Sequence, residues 1–136
     1  MNTINLSSAQ SAENHLENKM MKQRILHLHL KKKWFDKIKS GEKLEEYRII
    51  KEHYISLFTD GLIVDQSTSD VSNINVSYKL KEFDKVILYL AYPNANDKES
   101  MVAFKDPKIR IDFGKEEWGA PKFKVFVVSW GERIDV

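Results

Sequence analysis

One stretch, Arg24 to Arg48, narrows what this chain can fold into, because its hydrophobic period changes twice within 25 residues. From Arg24 to Leu30 the residues alternate. Leu26, Leu28 and Leu30 fall on one face and His27 and His29 on the other, the pattern of a half-buried strand whose leucines look into a core. After Leu30 the apolar residues Trp34, Phe35 and Ile38 take helical spacing, with Lys33, Lys37 and Lys39 on the wet side and Ser40-Gly41 as the stop. A helix of about two turns does not persist alone, so it must pack on a sheet. Glu42 to Arg48 resumes alternation, which puts Leu44, Glu46 and Arg48 on one face and Lys43, Glu45 and Tyr47 on the other. Glu46 and Arg48 are thereby held roughly 6.5 to 7 Å apart along one side of a strand.

The rest of the chain reads as a single domain from 23 to 136, preceded by a polar extension, 1–22, that need not be ordered beyond a helical turn from Ser11. Ile49 to Phe58 carries a helical stripe of Ile50, Tyr54, Leu57 and Phe58, with Asp60-Gly61 as its stop. Leu62 to Val64 is a short apolar run, and a Ser, Asn and Asp-rich loop is expected at about 65–77. Phe83 to Tyr92 is the strongest strand, apolar enough to be covered on both sides, and Pro93 to Asp97 ends it. Ser100 to Asp112 gives two strands broken at Asp106-Pro107, Gly114 to Pro121 is a turn around Trp118-Gly119, and Phe123 to Trp130 is the last strand. Five to seven strands, two short helices and no repeating βαβ unit predict a mixed α+β fold, a small mixed or antiparallel β-barrel.

Charge is distributed unevenly. Lys22 to Lys51 holds ten Lys and Arg against four Asp and Glu, so the overall +2 conceals a basic segment and an acidic remainder. A concentrated positive field attracts polyanions. Lys31, Lys32 and Lys33 crowd a helix start that is already electropositive, which an anion would offset. The plainer account of such a triplet is a solvated basic face. The absence of cysteine excludes disulfides, thiolate nucleophiles and cysteine-ligated zinc. No apolar run is long enough to span a bilayer, and residues 1–20 lack the apolar core of a signal peptide, so the cytoplasm is the expected compartment and no membrane partner is expected.

Gly41, Lys43, Glu46 and Arg48 spell G-x-K-x-x-E-x-R behind a leading strand and a short amphipathic helix. This resembles the signature of the ASCH domain, a relative of the PUA domain, with weaker similarity through Gly114 to Pro121 and the last strand. The resemblance implies a small PUA-like barrel, a cleft beside the motif, and RNA or a modified nucleoside as ligand. Relatives that remove acetyl from cytidine carry threonine three residues after the motif lysine. Glu46 stands there in this chain, which takes away that hydroxyl nucleophile.

On this reading Lys31, Lys32, Lys33, Gly41, Lys43 and Arg48 form the anion-binding part of the cleft, and Tyr47, Trp34 or Tyr54 offers a stacking face. Trp34, spaced with Ile38, belongs more naturally to the core, which leaves Tyr47 as the better stacking residue. Glu46 and Arg48 could equally be a structural ion pair. Lys43 and Glu46 are the candidates for acid–base work in a ribonuclease or nucleoside hydrolase, although alternation sets them on opposite faces unless the lysine reaches round from the turn. Lys43→Ala and Arg48→Ala are expected to weaken RNA binding with little loss of folding. Two alternatives remain: a metal site at His27 and His29 completed by His53 or Glu46, and a non-catalytic protein-interaction module. No cofactor is implied, and the oligomeric state is not legible.

Overall fold

The computed structural model describes residues 22–65, 75–91 and 97–136. The expected helical turn from Ser11, most of the polar extension, the middle of the 65–77 loop, and the segment from Tyr92 to Asn96 lie outside the described residues.

The alternation of the first strand has its expected consequence. β1 (Ile25–Leu30) buries Leu26, Leu28 and Leu30 and exposes His27 and His29. α1 (Lys32–Lys39) buries Phe35 and Ile38 against the same core. β2 (Glu45–Arg48) begins three residues later than the alternation proposed. α2 (Glu52–Phe58) is also shorter than the 49–58 stripe, because Lys51 is extended and Ile49 is exposed. It stops at Phe58 and the chain enters β3 (Thr59–Asp65) directly, so Asp60-Gly61 is no helix stop; the strand pairing slips there, between Thr59 and Leu62.

β4 (Asn75–Leu80) pairs antiparallel with β3, so the ends of the expected loop are strand. The polar composition of this segment hid its alternation, which places Val76 opposite Val64 and Tyr78 opposite Leu62. β5 (Lys85–Leu90), β6 (Met101–Lys105), β7 (Lys108–Asp112) and β8 (Val125–Ser129) follow, with the break at Asp106-Pro107 where proline required one. A short β9 (Arg133–Ile134) comes after β8, so Phe123 to Trp130 is not the last strand. The described residues thus hold nine strands, more than the five to seven expected.

The architecture is mixed α+β and mostly sheet. One sheet runs β1-β5-β6-β9, a second β2-β8-β7, and β3-β4 forms a two-stranded ribbon; the sheets are open and not closed into a barrel. β1 is parallel to β5, with His29 opposite Tyr89, and the remaining pairs are antiparallel. The two larger sheets share one core: Leu26, Leu28, Leu30, Val86, Leu88, Val102 and Phe104 from the first meet Phe126 and Val128 from the second, with Phe35, Ile38 and Phe58 from the helices. Two-sided cover reaches all of Val125 to Val128 in β8, whereas in β5 it reaches Val86 to Leu88 and leaves Tyr89 and Leu90 half-buried. No helix among the described residues is long and apolar enough to cross a membrane.

Leu28 and Leu44 separate core from surface within one stretch, at 2% and 58% exposed. Leu28→Ala is expected to cost about 2–5 kcal/mol in urea unfolding, whereas Leu44→Ala should stay within about 0.5 kcal/mol.

Candidate functional site

The turn between α1 and β2 decides where Lys43 goes. Gly41 has a φ of 87°, a left-handed conformation that glycine adopts without strain, and its N–H bonds the Ile38 carbonyl at 3.1 Å. The chain then doubles back far enough for the Lys43 N–H to reach the Lys37 carbonyl at 2.9 Å. Lys43 is therefore still part of the turn, and strand alternation does not apply to it. Its side chain points inward while Leu44 points out. The expectation of opposite faces for Lys43 and Glu46 is corrected accordingly: Lys43 Nζ donates to Glu46 Oε1 at 2.8 Å.

Both partners are buried, and Arg48 completes the cluster. Lys43 is 1% exposed and Glu46 6%. Arg48 donates through one terminal nitrogen to Glu46 Oε2 and to the His29 carbonyl, each at 3.0 Å, and through the other to the Tyr54 hydroxyl at 3.2 Å. The Tyr47 N–H adds a third donor to the carboxylate at 3.1 Å. Two cations thus share one buried anion, Lys43 from inside and Arg48 from a partly exposed side chain. Among the described residues nothing accepts from Arg48 Nε, which is also buried. Burial pushes Lys43 below the ordinary lysine value, Arg48 pushes the same way, and Glu46 opposes both.

This cluster floors a cleft of about 290 Å³ lined also by His29, Leu30, Lys31, Trp34, Tyr47, Trp118 and Gly119. Trp34 is half-buried and faces the cleft, so its expected place in the core is corrected; the Lys43 ammonium lies 4.5 Å from its ring centroid and 5.3 Å from that of Tyr47. Such separations are those of cation–π contacts. The far wall depends on two glycines. A Cβ on Gly119, whose φ is 96°, would sit 2.7 Å from Trp34 Cζ2, and one on Gly114 would collide with the Tyr47 ring. Between them the Lys115 N–H donates to the Tyr47 hydroxyl at 3.0 Å, and that hydroxyl donates to Glu45 at 2.8 Å. Arg110 pairs with the other Glu45 oxygen at 3.0 Å. Burial is the main cause raising Tyr47 well above the ordinary tyrosine value, and the Glu45 carboxylate adds to it.

The lysine run is dispersed. Lys31 reaches the cleft, but Lys32 pairs with Asp36 at 2.6 Å and Lys33 is an exposed side chain 4.7 Å over the Trp34 ring. Lys37 is drawn to Glu42 and Lys39 to Glu99, and Gly41 shapes the turn without lining the cleft. Tyr54 stands behind the cluster, holding Arg48. Trp118 and Gly119 line the cleft although the sequence motif does not include them. Their signal was a tryptophan beside a glycine in an otherwise polar turn.

Among the described residues no three His, Asp or Glu side chains come together as metal ligands, so His27 and His29 gain neither His53 nor Glu46 as a third. A larger cavity of about 480 Å³ opens between Leu80–Asp84 and Asp106–Ile109, but none of its charged side chains is buried. No family model matches the chain, and no curated protein or solved structure is significantly similar to it.

The burial of Lys43 and Glu46 argues against the expectation that Lys43→Ala and Arg48→Ala would come with little loss of folding. Glu46→Gln should be the costliest change, about 3–5 kcal/mol in chemical unfolding, because it leaves the buried Lys43 and the partly buried Arg48 without their shared counter-charge. Lys43→Met should cost less, since Arg48 still pairs with Glu46. Tyr47 supplies a test by pH. In the unfolded chain its phenol ionises near the ordinary value of about 10, while the folded protein holds the proton longer, so stability is lost as pH rises past that value. Tyr47→Phe should make this alkaline decline shallower in thermal melts, with Tyr89, also raised by burial, leaving part of it.

Proposed function

We propose that the cleft binds a nucleotide or an unpaired base of RNA, and that the chain is an ASCH-like domain, a PUA-like relative acting in the cytoplasm. The observation that carries the reading is the excess of one positive charge at the buried Lys43 and Glu46 and the partly buried Arg48, set beneath aromatic walls from Trp34, Tyr47 and Trp118. A buried charge without a counter-charge is costly, and an incoming phosphate would offset it. Flat aromatic walls favour a base beside that phosphate. A cleft near 290 Å³ is just below the range of small-molecule sites, roughly 300–1,000 Å³, and suits no more than one nucleoside-sized group. On the same reading, the two larger sheets around their common core are an opened form of the small barrel that the resemblance implies.

A hydrolytic activity on RNA or a modified nucleoside is the second reading, and the contact of the buried Lys43 amine with the Glu46 carboxylate at the cleft favours it, because burial pushes the lysine below its ordinary value and makes it a readier proton donor. Glu46 would then hold and tune that amine. Incubation with single-stranded and structured RNA, read on one gel for both retention and cleavage, separates binding from turnover.

Lys31 gives the cleaner test of binding, since it is exposed at the cleft while Lys43 and Arg48 belong to the buried cluster. Lys31→Glu should weaken RNA binding about tenfold or more at low salt and reduce the slope of log K against log salt by about one unit. Lys32→Glu, on the same helix start but paired with Asp36, should change binding far less. Equal affinities for wild type and both variants across the salt series would remove the proposal.

A further inference from the structure

The outer face of the β1–β5 pair carries three aromatic rings beside the cleft. His27 and His29 are exposed there, and the parallel register sets Tyr89 of β5 opposite His29. The Tyr89 ring stacks on His29 with centroids 4.9 Å apart and planes 16° from parallel, and on His27 at 5.7 Å and 29°. The Tyr89 hydroxyl is 2.8 Å from His27 Nδ1, a hydrogen bond that fixes both rings. Strand register and this bond order the row before anything binds, so a stacking ligand would lose little side-chain entropy in meeting it.

The row is continuous with the cleft. His29 lines the cleft on one side and, on the other, a depression of about 130 Å³ shared with His27, His53, Arg48 and Tyr54. The His29 carbonyl also holds Arg48, so the two hollows meet at one guanidinium. Lys51 lies 5.4 Å over the ring of Tyr54, itself a lining residue of the depression, so a second cation stands near it. Histidine and tyrosine rings on a strand face accept any base by its flat side, without the donor pattern that would select one.

From these contacts we infer that His27, Tyr89 and His29 form a stacking subsite for the nucleotide adjoining the one in the cleft, so the ligand is a single-stranded oligonucleotide rather than a free nucleotide. The inference rests on the reading of the cleft as a nucleotide site. The two fail in different ways.

The test uses fluorescein-labelled single-stranded RNA octamers of mixed sequence, within the span of roughly 4–16 nucleotides that such grooves cover, beside the four nucleoside 5′-monophosphates. Binding is compared for wild type, His27→Ala and His27→Gln, at the one histidine of the row that does not line the cleft; the glutamine variant keeps hydrogen-bonding groups and lacks the ring. The altered side chain is exposed, and circular dichroism melts check folding. Both variants should bind the octamers about tenfold more weakly while monophosphate affinity is unchanged. Octamer binding equal to wild type in either variant overturns the subsite, as does equal loss for octamers and monophosphates. Wild-type protein that binds monophosphates as tightly as octamers overturns the subsite alone. Wild-type protein that binds neither removes the cleft reading and the subsite with it.

Discussion

The Glu46 carboxylate is the point on which this end of the molecule depends. An ionised carboxylate buried to 6% exposure is costly unless its hydration is replaced by well-placed donors, and here there are three: Lys43 Nζ, an Arg48 terminal nitrogen and the Tyr47 N–H. Through those donors four elements converge on one anion. Lys43 brings the turn that closes α1, Tyr47 and Arg48 bring β2, and Arg48 reaches on to the His29 carbonyl of β1 and the Tyr54 hydroxyl of α2. The apolar core holds the sheets together, but it does not fix the relative positions of polar atoms at this edge. The shared carboxylate does, and removing it would leave two cations with no reason to stay inside.

Local period made the scaffold legible and left the site half-read. Leu26, Leu28 and Leu30, the short helix through Phe35 and Ile38, and the break at Pro107 all follow from patterns within a few residues, and each lies where its pattern required. Lys43 does not, because alternation was carried one turn too early. A left-handed Gly41 and a hydrogen bond from the Lys43 N–H to the helix end keep that residue out of the strand, and its parity is reversed as a result. Trp34 had helical spacing with Ile38, yet a helix of eight residues presents one narrow row to the core, and Phe35 with Ile38 already fill it. The contacts that complete the cleft wall join residues about 65 apart, Glu45 with Arg110 and Tyr47 with Lys115, and no local pattern encodes them.

Charge counting had a similar limit. Ten cations between Lys22 and Lys51 predicted a positive field, and the fold sorts them by partner. Lys32, Lys37 and Lys39 each lie near an acidic side chain, and their fields are partly cancelled at short range. Surface pairs of this kind add little stability and are screened by salt. Lys43 and Arg48 differ in kind, because burial lowers the screening around them while a single carboxylate answers both. Two cations held in this way have more effect on a ligand in the cleft than a larger number turned toward water.

The floor and walls of the cleft ask for different things, and together they narrow what could use both. The floor is cationic, with two cations on one carboxylate; the walls are indole and phenol rings, one of them fitted against a glycine that cannot take a Cβ without displacing Trp34. A small inorganic anion would answer the charge and leave the rings in contact with water. A neutral aromatic would cover the rings and leave the charge uncompensated in a place of low dielectric, where that omission costs most. A molecule that carries a flat ring system and an anionic group a few bonds apart meets both demands at once. That is the chemical description of a nucleotide, and it is why the proposed ligand follows from the cluster and the rings jointly and from neither alone.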